Sequence, residues 1–150
     1  KNHFHILVYI RETNEVDTTK LEYSSTDKPK VISASKQFSN LFNAYTLAVN
    51  KRYKRTGSLF EKNFKRKVVN SESYFQKLIF YIHNNPVRHH FTDTIIEYPW
   101  TSYGTILSVK TTKLERERVI EMFGDKENFK FYPSNNQNLD DVEELLIDYL

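Results

Sequence analysis

His3 and His5 are separated by a single residue. On an extended strand side chains alternate between faces, so both imidazoles would leave the same side, at a spacing that lets two histidines grip one divalent metal. Two unrelated surface or core histidines meet the same spacing. Tyr81 and Asn85 are four residues apart in a stretch with helical periodicity, which turns them the same way to within about 40°. A phenol next to an amide that can ligate a metal is a candidate pair of nucleophile and ligand. The alternative is a half-buried aromatic followed by an Asn that caps the helix. Arg88 follows Asn85-Pro86-Val87, a turn signal, which would present its guanidinium just beyond a helix end. There it could fork onto a phosphate or pair with a surface acid. His83 points about 160° away from Tyr81, and His89 and His90 follow the expected helix stop, so these three receive no role.

Charge supplies the second signal. From Lys51 to Asn70 the bases are Lys51, Arg52, Lys54, Arg55, Lys62, Lys65, Arg66 and Lys67, against one acid, Glu61. Tyr53, Phe60 and Phe64 are interleaved with them. A cationic stretch with interspersed aromatics suits a nucleic-acid backbone; a solvated helix end and strand face would carry the same residues. The last fourteen residues are the opposite: Asp140, Asp141, Glu143, Glu144 and Asp148 stand there with no base.

These groups need elements to hold them. Asn2–Ile10 alternates as a strand, with Phe4, Ile6, Val8 and Ile10 on one face and His3, His5, Leu7 and Tyr9 on the other. Arg11–Lys30 reads as a long polar loop, with a short strand near Leu21–Tyr23. Ser33–Arg55 reads as a helix capped by Ser33 or Ser35, with Phe38, Leu41, Phe42, Tyr45 and Val49 in one stripe and Gly57 beyond its basic last turn. Ser58–Val69 reads as a second strand. Ser73–Gln76 has a capping-box pattern, opening a helix to about Asn84 that Pro86 stops. Thr112–Glu115 repeats that pattern before a helix to about Phe123, and an acidic amphipathic helix is expected from Asn138 or Leu139 to Tyr149.

Composition bounds the rest. The 150 residues are 39% hydrophobic and 27% charged, a globular balance with a net charge of +3. No run approaches the roughly 18 apolar residues of a spanning helix, and nothing resembles a signal peptide. Without cysteine there is no disulfide scaffold, cysteine–zinc site or thiol catalysis. The only Met is Met122, so further chain is expected upstream of Lys1.

Four blocks in order resemble the HUH-type single-tyrosine transposases, most closely their REP-associated branch. They are NHFHILV (Asn2–Val8), RTGSLFEKNFK (Arg55–Lys65), YIHNNPVR (Tyr81–Arg88) and YPWTSY (Tyr98–Tyr103). A weaker echo is ERERVIEMFGDKENF (Glu115–Phe129). The resemblance implies an α+β fold: a ferredoxin-like antiparallel sheet with helices on one face, here lacking the strand, helix and strand that precede the histidine motif, plus C-terminal helices. It implies a catalytic domain over residues 1–104 and a helical extension over residues 105–150.

The resemblance also assigns roles. His3, His5 and Asn85 match the metal ligands, with Mg²⁺ or Mn²⁺ as the ion, and Tyr81 matches the nucleophile. The basic segment Arg55–Lys67 falls where the family's second helix runs into a sheet strand close to DNA, and Lys51, Arg52, Lys54 and Arg88 are taken with it as DNA-binding candidates. The implied reaction is cleavage and rejoining of single-stranded hairpin DNA through a 5′-phosphotyrosine, without a nucleotide cofactor. It would run in the bacterial cytoplasm, near the nucleoid, with no membrane and with a homodimer as one arrangement. No side chain stands out as a base for a phenol whose ordinary pKa is about 10. Two other readings stay open. One is a catalytically inert DNA-binding protein derived from such an enzyme; the other is an interaction module whose acidic C-terminal helix docks a partner or covers the basic groove.

Overall fold

The computed structural model describes residues 4–16, 33–60 and 64–135. Their contacts form two compact units. One comprises the described residues from Ile6 to Phe64; the other comprises Phe4 and His5 with Lys65 onward.

The Ile6–Phe64 unit is built on α1, Ala34–Tyr53. Ser33 caps it, its hydroxyl accepting from the Lys36 amide. The helix ends at Lys54, whose amide makes the last helical bond to the Asn50 carbonyl and whose left-handed backbone (φ 51°) turns the Arg55 amide onto the same oxygen. Gly57, with φ 84°, completes the reversal, and the Asn50 amide nitrogen donates to its carbonyl at 2.9 Å. The returning chain lays Phe60 and Phe64 on the aromatic stripe. Phe42 has ring centroids 5.1 Å from Phe60 and 5.4 Å from Phe64, and Phe38 is 5.6 Å from Phe64. No residue of α1 is fully buried.

The second unit packs α2 (Glu72–Arg88) with α3 (Tyr103–Leu107), α4 (Arg116–Met122) and α5 (Lys126–Asn135). Its core joins Ile79 and Phe80 of α2 to Tyr103, Ile106, Phe123 and Phe129. The Phe129 ring stacks on Tyr103 at 5.4 Å and meets Phe123 edge-on at 5.1 Å. The Gln76 amide ties α2 to the end of α4 by donating to the Met122 carbonyl. Arg116 holds the α3–α4 connection through the carbonyls of Ser108 and Lys110.

The expected antiparallel sheet is absent: among the described residues every regular element is helical. Residues 4–10 keep part of their alternation, since His5 and Leu7 are half-buried between exposed Phe4, Ile6 and Val8. Alternation records which side chains one face can cover. A strand also needs a neighbour to complete its backbone ladder, and period two does not supply one. The described parts of Ser58–Val69 likewise form no strand, because Phe60 and Phe64 are committed to α1. The 11–16 stretch contains a 3₁₀ turn, Thr13–Glu15. The short strand near Leu21–Tyr23 and the acidic C-terminal helix lie outside the described residues.

Helix boundaries also shift. Ser71, not Ser73, caps α2 by accepting from the Tyr74 amide at 3.2 Å. Thr112 accepts from the Leu114 amide in a local turn, and α4 begins at Arg116 with no side-chain cap. Pro86 does not stop α2, which runs on to Arg88. The helix is closed instead by paired bonds from His90 to the Val87 carbonyl and from Phe91 to the Pro86 carbonyl, with His90 left-handed at φ 58°. That is the Schellman arrangement, with histidine where glycine is usual. No helix is long and apolar enough to cross a membrane among the described residues.

Candidate active site

α2 buries two sides. Ile79, His83 and Pro86 face the aromatic core, while Tyr74 and Tyr81 lie about half a turn away. Among the described residues His83 is the one buried polar or charged residue, 2% exposed. Its Nε2 is 2.8 Å from the Ser102 hydroxyl, and its ring meets those of Tyr103 and Phe129 edge-on. Burial drives its pKa down to about 4, so it packs as a neutral ring. The void beside it, about 10 Å³, has room for one water at most. His83 is therefore a packing residue. His89 and His90 are exposed at the end of α2.

Tyr81 is only 5% exposed although it faces away from that core. The ring of His5 meets it edge-on, with centroids 5.5 Å apart and planes at 80°. The Arg88 guanidinium carbon lies 5.6 Å from the centre of the same ring. One turn after Tyr81, the Asn85 amide has a buried nitrogen with no hydrogen-bond partner. The structure thus brings Tyr81, His5 and Arg88 together, with Asn85 on the same flank of α2. His3 lies outside the described residues.

A divalent ion needs an oxygen or imidazole donor set next to the phenol. Among the described residues no three His, Asp or Glu side chains form a metal-holding group. Yet His5 is beside Tyr81, and on this flank the Asn85 amide has a buried nitrogen without a hydrogen-bond partner. Turning that amide by 180° exchanges nitrogen for the oxygen a metal takes. An imidazole and an amide oxygen are donor types that an ion of the Mg²⁺ or Mn²⁺ kind accepts, and His5 and Asn85 are the residues of this flank that would offer them.

The basic residues divide between the units. Lys51 and Arg52 occupy the last turn of α1 and Lys54 its cap, while Lys65, Arg66 and Lys67 lead into α2. These six, with Arg55 and Arg88, are exposed, as a phosphate-binding surface requires. Lys67 lies over the Tyr74 ring and Arg52 over that of Tyr53. Lys62 lies outside the described residues. Because α2 runs on through Pro86, Arg88 comes to lie over Tyr81 rather than on a turn. The seven-residue spacing of the two was the available signal, since it returns a helix to nearly the same face.

No protein-family model, curated protein or solved structure matches this chain.

Proposed function

We propose that this chain is a metal-dependent DNA strand transferase with Tyr81 as nucleophile. The observation that carries the reading is the His5 ring packed against Tyr81, two groups from distant parts of the sequence meeting at one place. The phenolic oxygen attacks the phosphorus of a phosphodiester in a single strand. A phosphorus–oxygen bond to Tyr81 forms as the bond to the 3′-oxygen breaks. The phenol's proton passes to solvent and the leaving oxygen takes one up, giving a 5′-phosphotyrosine and a free 3′-hydroxyl. Another 3′-hydroxyl can reverse the step, so no nucleotide cofactor is consumed. His5 and Asn85, with His3, would hold Mg²⁺ or Mn²⁺, and the ion would supply polarisation of a non-bridging oxygen. The exposed basic residues at Lys51–Arg55 and Lys65–Lys67 suit a nucleic-acid phosphate backbone, and the sequence resemblance implies that the substrate is single-stranded hairpin DNA.

One observation favours a second reading, an inert DNA-binding protein. Tyr81 is 5% exposed, and a phosphodiester must displace part of its cover to be attacked. A labelled hairpin oligonucleotide with Mn²⁺ separates the two. A covalent adduct with the parent, absent from Tyr81→Phe, supports the transferase. Salt-sensitive binding with no adduct supports the inert binder and sinks the first reading.

A further inference from the structure

Arg88 is exposed, yet its guanidinium is held over the ring of Tyr81. The cause is the continuity of α2. Seven residues of α-helix turn a side chain back to within about 20° of where it started. Side chains also lean toward the helix N-terminus, so a residue two turns after Tyr81 reaches back across it. This works only because the helix passes through Pro86 and is closed beyond Arg88 by the His90 and Phe91 amides. A helix ending at Asn84 would leave Arg88 on a turn with no fixed relation to the phenol.

We infer that Arg88 is a catalytic residue of the strand-transfer reaction, its guanidinium gripping the same phosphate that Tyr81 attacks. The inference rests on the transferase reading and gives Arg88 a task distinct from that of the distributed bases. Lys51, Arg52 and Lys65–Lys67 can hold a backbone anywhere along a strand. Arg88 lies over the ring that carries the nucleophile, 5.6 Å from its centre. Its planar fork matches two non-bridging phosphate oxygens. Charge on those oxygens is redistributed as phosphorus passes between the attacking and leaving oxygens, and a donor already in place stabilises that arrangement without reorganising. The ring of Tyr81 orients the guanidinium beforehand, which limits the side-chain entropy lost when phosphate arrives.

The test is single-turnover adduct formation on a saturating hairpin oligonucleotide with Mn²⁺, with hairpin affinity measured separately by anisotropy. Arg88→Ala should slow adduct formation by roughly 100-fold or more, the scale for losing one preorganised donor, while affinity falls only a few-fold. Arg88→Lys should fall between, keeping charge but losing the fork. Millimolar guanidinium should restore part of the rate to Arg88→Ala and none to Tyr81→Phe. Circular dichroism checks that the variants are folded, and Arg88→Lys carries the test if Arg88→Ala is not. The proposal is overturned if Arg88→Lys reacts at the parental rate at saturation. It is equally overturned if Lys and Ala lose rate alike and guanidinium rescues neither, for then Arg88 only packs on the ring. An adduct absent from the parent itself defeats the transferase reading, and the role of Arg88 with it.

Discussion

α1 and α2 look alike as sequence. One has 20 residues and the other 17; each is capped by a serine and carries an aromatic stripe. In the structure they differ sharply. α2 buries Tyr74, Ile79, Phe80, Tyr81, His83 and Pro86, and α1 buries nothing completely. The stripe of α1 is met by Phe60 and Phe64 from its own returning chain, and Leu41 and Leu47 stay exposed. α2 is covered on two sides, by the aromatic core and, at Tyr81, by His5 and Arg88. Amphipathic periodicity states which face can be buried; the partners decide whether it is. The candidate chemistry sits on the helix that has partners, where side chains are held in place.

Truncating one aromatic in each helix tests this most strongly. Phe80 is 7% exposed and packs edge-on against Tyr132. Phe80→Ala should cost about 3–5 kcal/mol, the range for a buried phenylalanine. Phe42, only half-buried, should cost roughly 1–2 kcal/mol on truncation, in proportion to the apolar area it removes from water. Guanidinium unfolding followed by far-UV circular dichroism measures both. Equal losses would mean that α1 is as firmly packed as α2.

Acid should separate the two regions next. His83 has its pKa lowered to about 4 by burial, against an ordinary 6.5. Between these values the unfolded chain binds a proton that the folded one refuses, so stability rises with pH. The contribution is fully present above about pH 6.5 and is lost as pH falls to 4, on the order of 3 kcal/mol. His83→Gln keeps a hydrogen-bonding partner for Ser102 and should flatten this part of the profile. α1 contains no histidine, so none of this slope originates in it. An unchanged slope in His83→Gln would show that His83 is neither buried nor neutral.

The sequence displayed individual helices better than their surroundings. Ser33, the stripe of α1 and Gly57 mark that helix nearly to the residue, because caps and periodicity are local. The strands failed because a ladder needs a neighbour, and nothing within Asn2–Ile10 or Ser58–Val69 specifies one. Asp125 carries a local helix-start signal. Its carboxylate accepts from the Asn128 amide at 2.7 Å and opens α5, which brings Phe129 into the core. At the candidate site, the four-residue spacing of Tyr81 and Asn85 was readable along one helix. The meeting of Tyr81 with His5 depends on tertiary packing that no short motif encodes. Pro86 misled because its local preference against helix is outweighed when the residue is buried and the helix end is closed beyond it.

The smallest expected effect probes how the two helices end. Both stop at a non-glycine residue in the left-handed region: Lys54 at φ 51° for α1 and His90 at φ 58° for α2. A side chain costs roughly 1–2 kcal/mol in that conformation, and glycine avoids the cost while adding chain entropy to the unfolded state. His90→Gly should therefore raise stability by about 0.5–1 kcal/mol, read as a higher denaturant midpoint at unchanged slope. It should also tighten the closure that holds Arg88 over Tyr81. Lys54→Gly relieves the same strain at the end of a helix with no buried residue. Its gain should appear mainly as slower amide exchange at Lys54 and Arg55, whose N–H groups bond the Asn50 carbonyl, with little shift of the global midpoint. If Lys54→Gly raised the global midpoint as much as His90→Gly, α1 would be as tightly coupled to global unfolding as α2. The contrast in packing between the two helices would then not extend to their stability.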